Sequence, residues 1–469
     1  MKKIISIALA MSLILALCAC QKAENPVPQQ QAAEFKVGFG RVDITPTTLG
    51  SPMDGYGQNE KRLHNKVLDN LFVTAVAITG VNGETIVLIS VDLENSSQHD
   101  AIRKLIEQEV GIPYDHVMLA ATHTHSGPDQ KLDTVFTKQF HGHTVNAVKM
   151  ALEDQSPATI SIGRTETENL NFVRHYVMND DSFAGDNFGD WSSGIKGYAE
   201  ENDPGMQIIK FTRPAEDKKD IIMVNWQGHP SLTGGILTLD MSADYVGATR
   251  QQVEYQTKAN FVFFQGASGN QNVISYIPGD SRTTDYQEFG KFLTEYIISG
   301  LEDMTPVEVG EVHTLHHTQM CEVNREMEDH LDDALRIQEL YSRTDRDTGN
   351  VLAQQLGFSS VYHANGVVTR SKIEENELPL ELNVYAFGDI SFVAAPYEMF
   401  AKHGMQIKEG TPYEMTFVSA LTNGHEGYLP TEFAFQFGCY ESHTTRFTGD
   451  TGTKCAEAFI SMLETMKAE

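Results

Sequence analysis

The chain has 469 residues, 41% of them hydrophobic, and a formal net charge of −29 at pH 7. That length buries a large core without covalent staples, and the acidity excludes nucleic acid as a partner, since no basic patch offsets phosphate repulsion. Five cysteines with no Cys-x-x-Cys spacing rule out a disulfide scaffold and a cysteine-based zinc site.

Residues 1–20 read as a targeting element. Lys2-Lys3 form a charged start, residues 4–17 are apolar but short for a bilayer span, and Leu17-Cys18-Ala19-Cys20 looks like a bacterial lipobox. Cys20 is then the lipidated residue, which leaves Cys321, Cys439 and Cys455 in the folded part. Residues 21–34, polar with prolines and a glutamine run, predict a flexible tether. The expectation is an exported protein of the cell envelope, lipid-anchored at a membrane, the bacterial outer membrane. Residues 35–469 contain no linker rich in Pro, Gly or Ser and predict one large catalytic domain.

Apolar runs over 72–78 and 85–91 flank the turn signal Val81-Asn82-Gly83 and predict a hairpin. Residues 101–110 have helical spacing and precede a strand over 116–121. Further strands are expected over 221–226, 261–264, 381–387 and 391–395. Helices are expected over 245–255, 286–301 and 325–341, from Glu398 onward, and over 456–466. This alternation predicts an α/β fold of mixed β-sheets flanked by helices, with no repeat at a fixed period.

Four segments carry candidate chemistry. Ala120-Ala121-Thr122-His123-Thr124-His125-Ser126-Gly127-Pro128 leaves the strand over 116–121 at the end where α/β enzymes place their sites. If the segment is extended, alternation puts both imidazoles on one face. There they can share a metal, or one can hold metal while the other moves protons, or both can be ordinary histidines. Val224-Asn225-Trp226-Gln227-Gly228-His229-Pro230 repeats the pattern of an apolar strand with a histidine at its exit. In Ala395-Pro396-Tyr397-Glu398 the carboxylate is expected at a helix start, as a cap or as a ligand oxygen. Leu421-Thr422-Asn423-Gly424-His425-Glu426-Gly427-Tyr428 is a glycine-rich loop ending in tyrosine, with Tyr440-Glu441 beyond it.

In this order the segments resemble the catalytic domain of the neutral (non-lysosomal) ceramidases, zinc-dependent amidases that cleave the N-acyl bond of ceramide. The resemblance begins at Val37-Gly38-Phe39-Gly40-Arg41-Val42-Asp43-Ile44-Thr45-Pro46 and runs through Ser90-Val91-Asp92 and Thr122-His123-Thr124-His125-Ser126-Gly127-Pro128. It continues through Ser242-Ala243-Asp244-Tyr245-Val246-Gly247, Pro396-Tyr397-Glu398 and the stretch 428–441. It implies that His123, His229, Glu398 and Tyr428 hold Zn2+. It also implies that His125 and Tyr440 meet the developing oxyanion, and that an arginine, best matched by Arg174, binds beside them. Imidazole, carboxylate and phenol are N/O donors suited to zinc, which acidifies a water for attack on the amide carbonyl.

Two departures stand out. The family's Gly-Asp-x-Ser-Pro run is here Gly269-Asn270-Gln271-Asn272-Val273, so Asn272 stands at the serine position and Asn270 at the aspartate position. The chain also ends after the helix expected over 456–466, where ceramidases continue into an immunoglobulin-like domain. The expectation is an exported, lipid-anchored, zinc-dependent amidohydrolase with a small lipid-like amide substrate, ceramide-like first, its substrate shifted from ceramide itself. The alternatives are a non-catalytic envelope binding lipoprotein on the same fold, and a zinc esterase or peptidase.

Overall fold

In the computed structural model, which describes residues 33–235 and 238–468, the apolar runs become strands of three sheets around one shared centre. The expected targeting element, Cys20 and nearly all of the expected tether lie outside the described residues. The first sheet holds β1 (Lys36–Asp43), β2 (Phe72–Thr79), β3 (Thr85–Val91) and β4 (Val117–Ala121), in the order β4-β3-β2-β1. The second holds β5 (Thr159–Glu166), β6 (Gly205–Thr212), β7 (Ile221–Trp226) and β8 (Asn260–Gln265), in the order β8-β7-β6-β5. The third holds β9 (Val312–Glu322), β10 (Glu377–Phe387), β11 (Ile390–Ala394) and β12 (Met415–Ser419), in that order. Each sheet has one parallel pair: β3 with β4, β7 with β8, and β11 with β12.

Period-two alternation explains why these runs are almost wholly apolar. On one face, Leu88 and Met118 of the first sheet join Met223 and Phe264 of the second and Phe392 and Phe417 of the third in a single cluster. On the opposite faces, Ile89 and Leu119 pack on helices His99–Val110 and Thr134–Glu153, and Val224 and Phe263 on Asp244–Thr257 and Tyr286–Glu302. Val393 and Val418 pack on Ala401–Gly410 and Thr451–Ala468. A strand buried on both faces has no polar side to show, which is the mark of parallel pairing under helices. The fold is α/β, mixed sheets flanked by helices, as the sequence predicts. The hairpin turn is also as expected, the Gly83 amide donating to the Gly80 carbonyl at 2.9 Å with Gly83 at φ 83°.

Two elements differ from expectation. The helix expected over 325–341 starts only at Leu331, after a 3-10 turn over Glu328–His330. Met327 takes φ 65°, and the Arg325 guanidinium donates to the carbonyls of Ile373 and Glu375, so tertiary contacts hold the chain out of the helix. Glu398 does not open a helix. It lies on a two-residue strand, Glu398–Met399, paired in parallel with Tyr428–Leu429, and the helix begins at Ala401.

The exits of β4, β7, β8, β11 and β12 meet at one end of the sheets, where backbone hydrogen bonds join them. Ala121 donates to Leu421, Asn423 to Leu119, Thr422 to Ala395, Ala420 to Gln265 and Gly269 to Met399, at 2.7–3.2 Å. Such bonds satisfy the buried polar groups that strand ends leave open, and they fix loops from all three sheets against each other.

Candidate metal centre and active-site cleft

Two residues after β4 ends, His123 takes φ 71°, so the His-x-His segment is not extended as expected. A left-handed histidine costs on the order of 1–3 kcal/mol and persists where surrounding contacts over-determine it. Here the His123 amide donates to Leu93 and the His125 amide to Pro230. The two rings still meet, for this reason and not by strand alternation. His125 Nε2 lies 3.2 Å from His123 Nε2, which lies 3.1 Å from His229 Nε2. Glu398 Oε2 lies 3.3 Å from the Nε2 atoms of both His123 and His229. The pairing with Glu398 carries Tyr428 to the same place, since the two residues are register partners.

The arrangement fits a metal ion. His123 Nδ1 donates to the Glu94 carbonyl at 2.7 Å and His229 Nδ1 to the Ser268 carbonyl at 2.9 Å. A carbonyl only accepts, so each ring carries its hydrogen on Nδ1 and turns an Nε2 lone pair toward the other. Two lone pairs 3.1 Å apart repel, and a positive charge between them, a metal ion or in its place a proton, relieves this. Glu398 Oε2 is buried without a hydrogen-bond partner, and His123, His125 and His229 form a group able to hold an ion. Ligand atoms bound tetrahedrally at about 2.0–2.1 Å stand about 3.3 Å apart, the spacing seen here.

The electrostatics agree. Burial opposes charge on Glu398, but His123 and His229 outweigh it and hold the carboxyl well below the usual range. Burial also opposes charge on His123, yet Glu398 and Glu94 push it up to about 9, so without a metal a proton takes the positive charge that this position favours. His125 is held well below its ordinary value by burial and by His123 and His229.

Arg174, a residue matched only loosely from sequence, comes to the same place. Its guanidinium lies 5.4 Å from the Tyr428 ring centre and 6.0 Å from that of Tyr440, and donates to the Gly269 carbonyl at 2.8 Å. Glu441 pairs with it at 2.6 Å and accepts from His175 Nε2 at 2.9 Å, while His175 Nδ1 faces Glu200 at 3.4 Å. His175, Cys439 and Glu441 form a second group with metal-ligand spacing, but its carboxylate is already engaged by Arg174 and His175. Cys321, Cys439 and Cys455 are buried free thiols. Asn270, at the family's aspartate position, accepts from the Ala401 amide at 2.9 Å and so caps the helix after Glu398.

A cleft of about 570 Å3 opens onto His125, Arg174, Tyr428 and Tyr440. Its other walls hold residues that sequence reasoning missed, among them Tyr56, Asp186, Trp191, Tyr276, Arg346 and Tyr362. They come from loops and from helices Arg346–Gln355 and Val361–Arg370, with no common spacing to reveal them. Gly55-Tyr56-Gly57 is the one sequence signal that was available. Gly55 has φ 110°, and a Cβ there would stand 2.7 Å from His125 Nδ1.

The family description "neutral/alkaline non-lysosomal ceramidase, N-terminal" matches residues 35–337. The neutral ceramidase of Pseudomonas aeruginosa is 27% identical over 199 residues, a match spanning 38% of this chain and 27% of that enzyme's length. Among solved structures, neutral ceramidase from Pseudomonas aeruginosa aligns with a TM-score of 0.69 at 16% identity, over 93% of this chain and 75% of that one. A ceramidase complexed with C2 aligns with a TM-score of 0.70 at 17% identity and the same coverage. At that identity the structures speak for the fold, and the family match speaks for descent. The chain belongs to the neutral/alkaline non-lysosomal ceramidase family.

Proposed function

We propose that this protein is a zinc-dependent amidohydrolase that cleaves N-acyl amides, ceramide-like in their bond type. The observation that carries the reading is the meeting of His123 Nε2, His229 Nε2 and Glu398 Oε2 within 3.1–3.3 Å beneath an open cleft. His123, His229, Glu398 and Tyr428 hold the metal in this reading, and their N/O donor set suits zinc. Zinc, when bound, acidifies water to a pKa of about 7 and polarises the amide carbonyl.

The chain's own groups do the rest. His125 faces the cleft with its Nε2 3.2 Å from that of His123, placed to take the proton of the attacking water and return it to the nitrogen as the C–N bond breaks. Burial keeps the Tyr440 phenol protonated far above the ordinary range, as a donor to the oxyanion. The Glu441 carboxylate outweighs burial and keeps Arg174 charged beside it. The products are a carboxylate and an amine.

Metal analysis together with amine release from a panel of N-acyl amides tests the reading. One equivalent of zinc and zinc-dependent amine release are expected, and a protein that binds no metal at this site ends it. The N-terminal segment supports export and a lipid on Cys20. Palmitate labelling should vanish in Cys20→Ser, and labelling that persists there refutes the anchor.

A further inference from the structure

An amidase for long-chain lipids needs apolar walls around the alkyl chains. The cleft above the candidate metal centre has aromatic rings and polar groups in place of aliphatic walls. Among the described residues its lining consists of tyrosines, Trp191, Arg174, Arg346, Asp186, Asn187, His125 and glycines, without one aliphatic side chain. Apolar burial of roughly 0.8 kcal/mol per CH2 is the affinity a lipid chain brings, and here only ring faces set among charged and polar groups supply it.

Within the lining, Asp186 is placed with care. It stands in a two-residue turn between Gly185 and Phe188, closed by paired backbone hydrogen bonds, with Asn187 at φ 64°. Asn272 Nδ2 donates to Asp186 Oδ2 at 3.0 Å, and the Tyr276 hydroxyl donates to Oδ1 at 3.1 Å. Asn272 is the residue at the family's serine position, so the departure in the motif supplies the donor that aims this carboxylate. Both donors are neutral. Each oxygen keeps acceptor capacity, since a carboxylate takes about four hydrogen bonds.

No lysine, arginine or histidine forms an ion pair with Asp186 among the described residues. Arg174 is within electrostatic range of it but is paired with Glu441 at 2.6 Å. Trp191 and Tyr276 stand edge to face beside it, with ring centres 5.2 Å apart. A half-buried carboxylate with neutral partners, next to two aromatic rings, has the chemistry that takes an ammonium ion, by charge-assisted hydrogen bonding and by cation–π contact.

We propose that Asp186, with Trp191 and Tyr276, forms a subsite for an ammonium group on the substrate, so that this protein prefers amides bearing a second, cationic nitrogen. This rests on the amidohydrolase reading for its turnover and on the cleft alone for its binding.

Two matched pairs of short N-acyl amides test it with the metal-loaded, full chain. One pair carries an ammonium or a methyl group at the end of the amine portion, and the other carries them at the end of the acyl portion. In at least one pair kcat/KM should favour the ammonium member by about tenfold or more, the size of a hydrogen bond to a charged group. Asp186→Asn should bring that ratio to near one. Trp191→Leu, at a site 38% exposed where the fold is not at risk, should lower it several-fold. Ratios near one in both pairs for the unaltered protein, or a preference unchanged in Asp186→Asn, overturn the proposal. If none of the four amides is cut, the amidohydrolase reading fails, and calorimetry with the ammonium members decides the subsite alone. Binding weakened tenfold or more by Asp186→Asn then upholds it, and equal or absent binding ends it.

Discussion

His123 and His125 stand two residues apart and differ in what their other ring nitrogen touches. His123 Nδ1 donates to the Glu94 carbonyl, which locks its tautomer, while His125 Nδ1 is buried against Gly55 without a full hydrogen bond. A locked ring suits a ligand, and an unlocked one can change its proton during turnover. His125→Ala is expected to keep zinc near one equivalent and to lower turnover by about 100-fold, whereas His123→Ala should lose the metal as well. Metal analysis beside steady-state kinetics separates the two, and a His125→Ala protein without zinc contradicts the division. A second residue-scale expectation concerns His175. Burial opposes its charge, but Glu441 and Glu200 push it up to about 9. The folded chain therefore binds this proton more tightly than the unfolded chain does, and the stabilisation is complete below about pH 6.5 and lost as pH rises through 9. Denaturant unfolding should show stability falling across that window, and His175→Gln should flatten the slope. An unchanged slope rules this origin out. At this scale the sequence disclosed residue types at strand exits. It could not disclose Asp186, whose meaning depends on Asn272 and Tyr276, both distant in the chain.

At the scale of elements, the legible features were those set by local patterning. The apolar runs of β3, β4, β7 and β8 are strands because nothing polar interrupts faces that are buried on both sides. Glu398 was legible as a candidate ligand but its setting was not, because a carboxylate after proline reads as a helix cap, while its two-residue strand exists only through pairing with Tyr428. That pairing leans on Gly269. A Cβ there would stand 2.6 Å from the Glu398 carbonyl oxygen, and the Gly269 amide donates to Met399 at 2.7 Å. Gly269→Ala should push the Glu398 strand outward and weaken zinc binding by roughly tenfold or more, as loss of support around a metal ligand does. Chelator competition measures this, and unaltered zinc affinity would show that the strand tolerates the shift.

At the scale of the whole molecule, His123, His229 and Glu398 each follow a strand of a different sheet, and the third sheet sends Tyr428 back beside Glu398. One apolar cluster locks the three sheets together, so the strand exits that carry the candidate ligands are held in place by the core. The order of the motifs made the family legible, because the neutral ceramidase resemblance covers this whole arrangement. The spacing did not, since more than a hundred residues separate His123 from His229, and only closure of three sheets makes them neighbours. The claim that all else depends on is a single metal at this convergence. Anomalous diffraction at the zinc edge, on crystals of the purified protein, tests it most directly. The account predicts one peak about 2.0–2.2 Å from His123 Nε2, His229 Nε2 and a Glu398 oxygen. A metal-replete protein with no peak there, or with its peak at His175, Cys439 and Glu441, would contradict it.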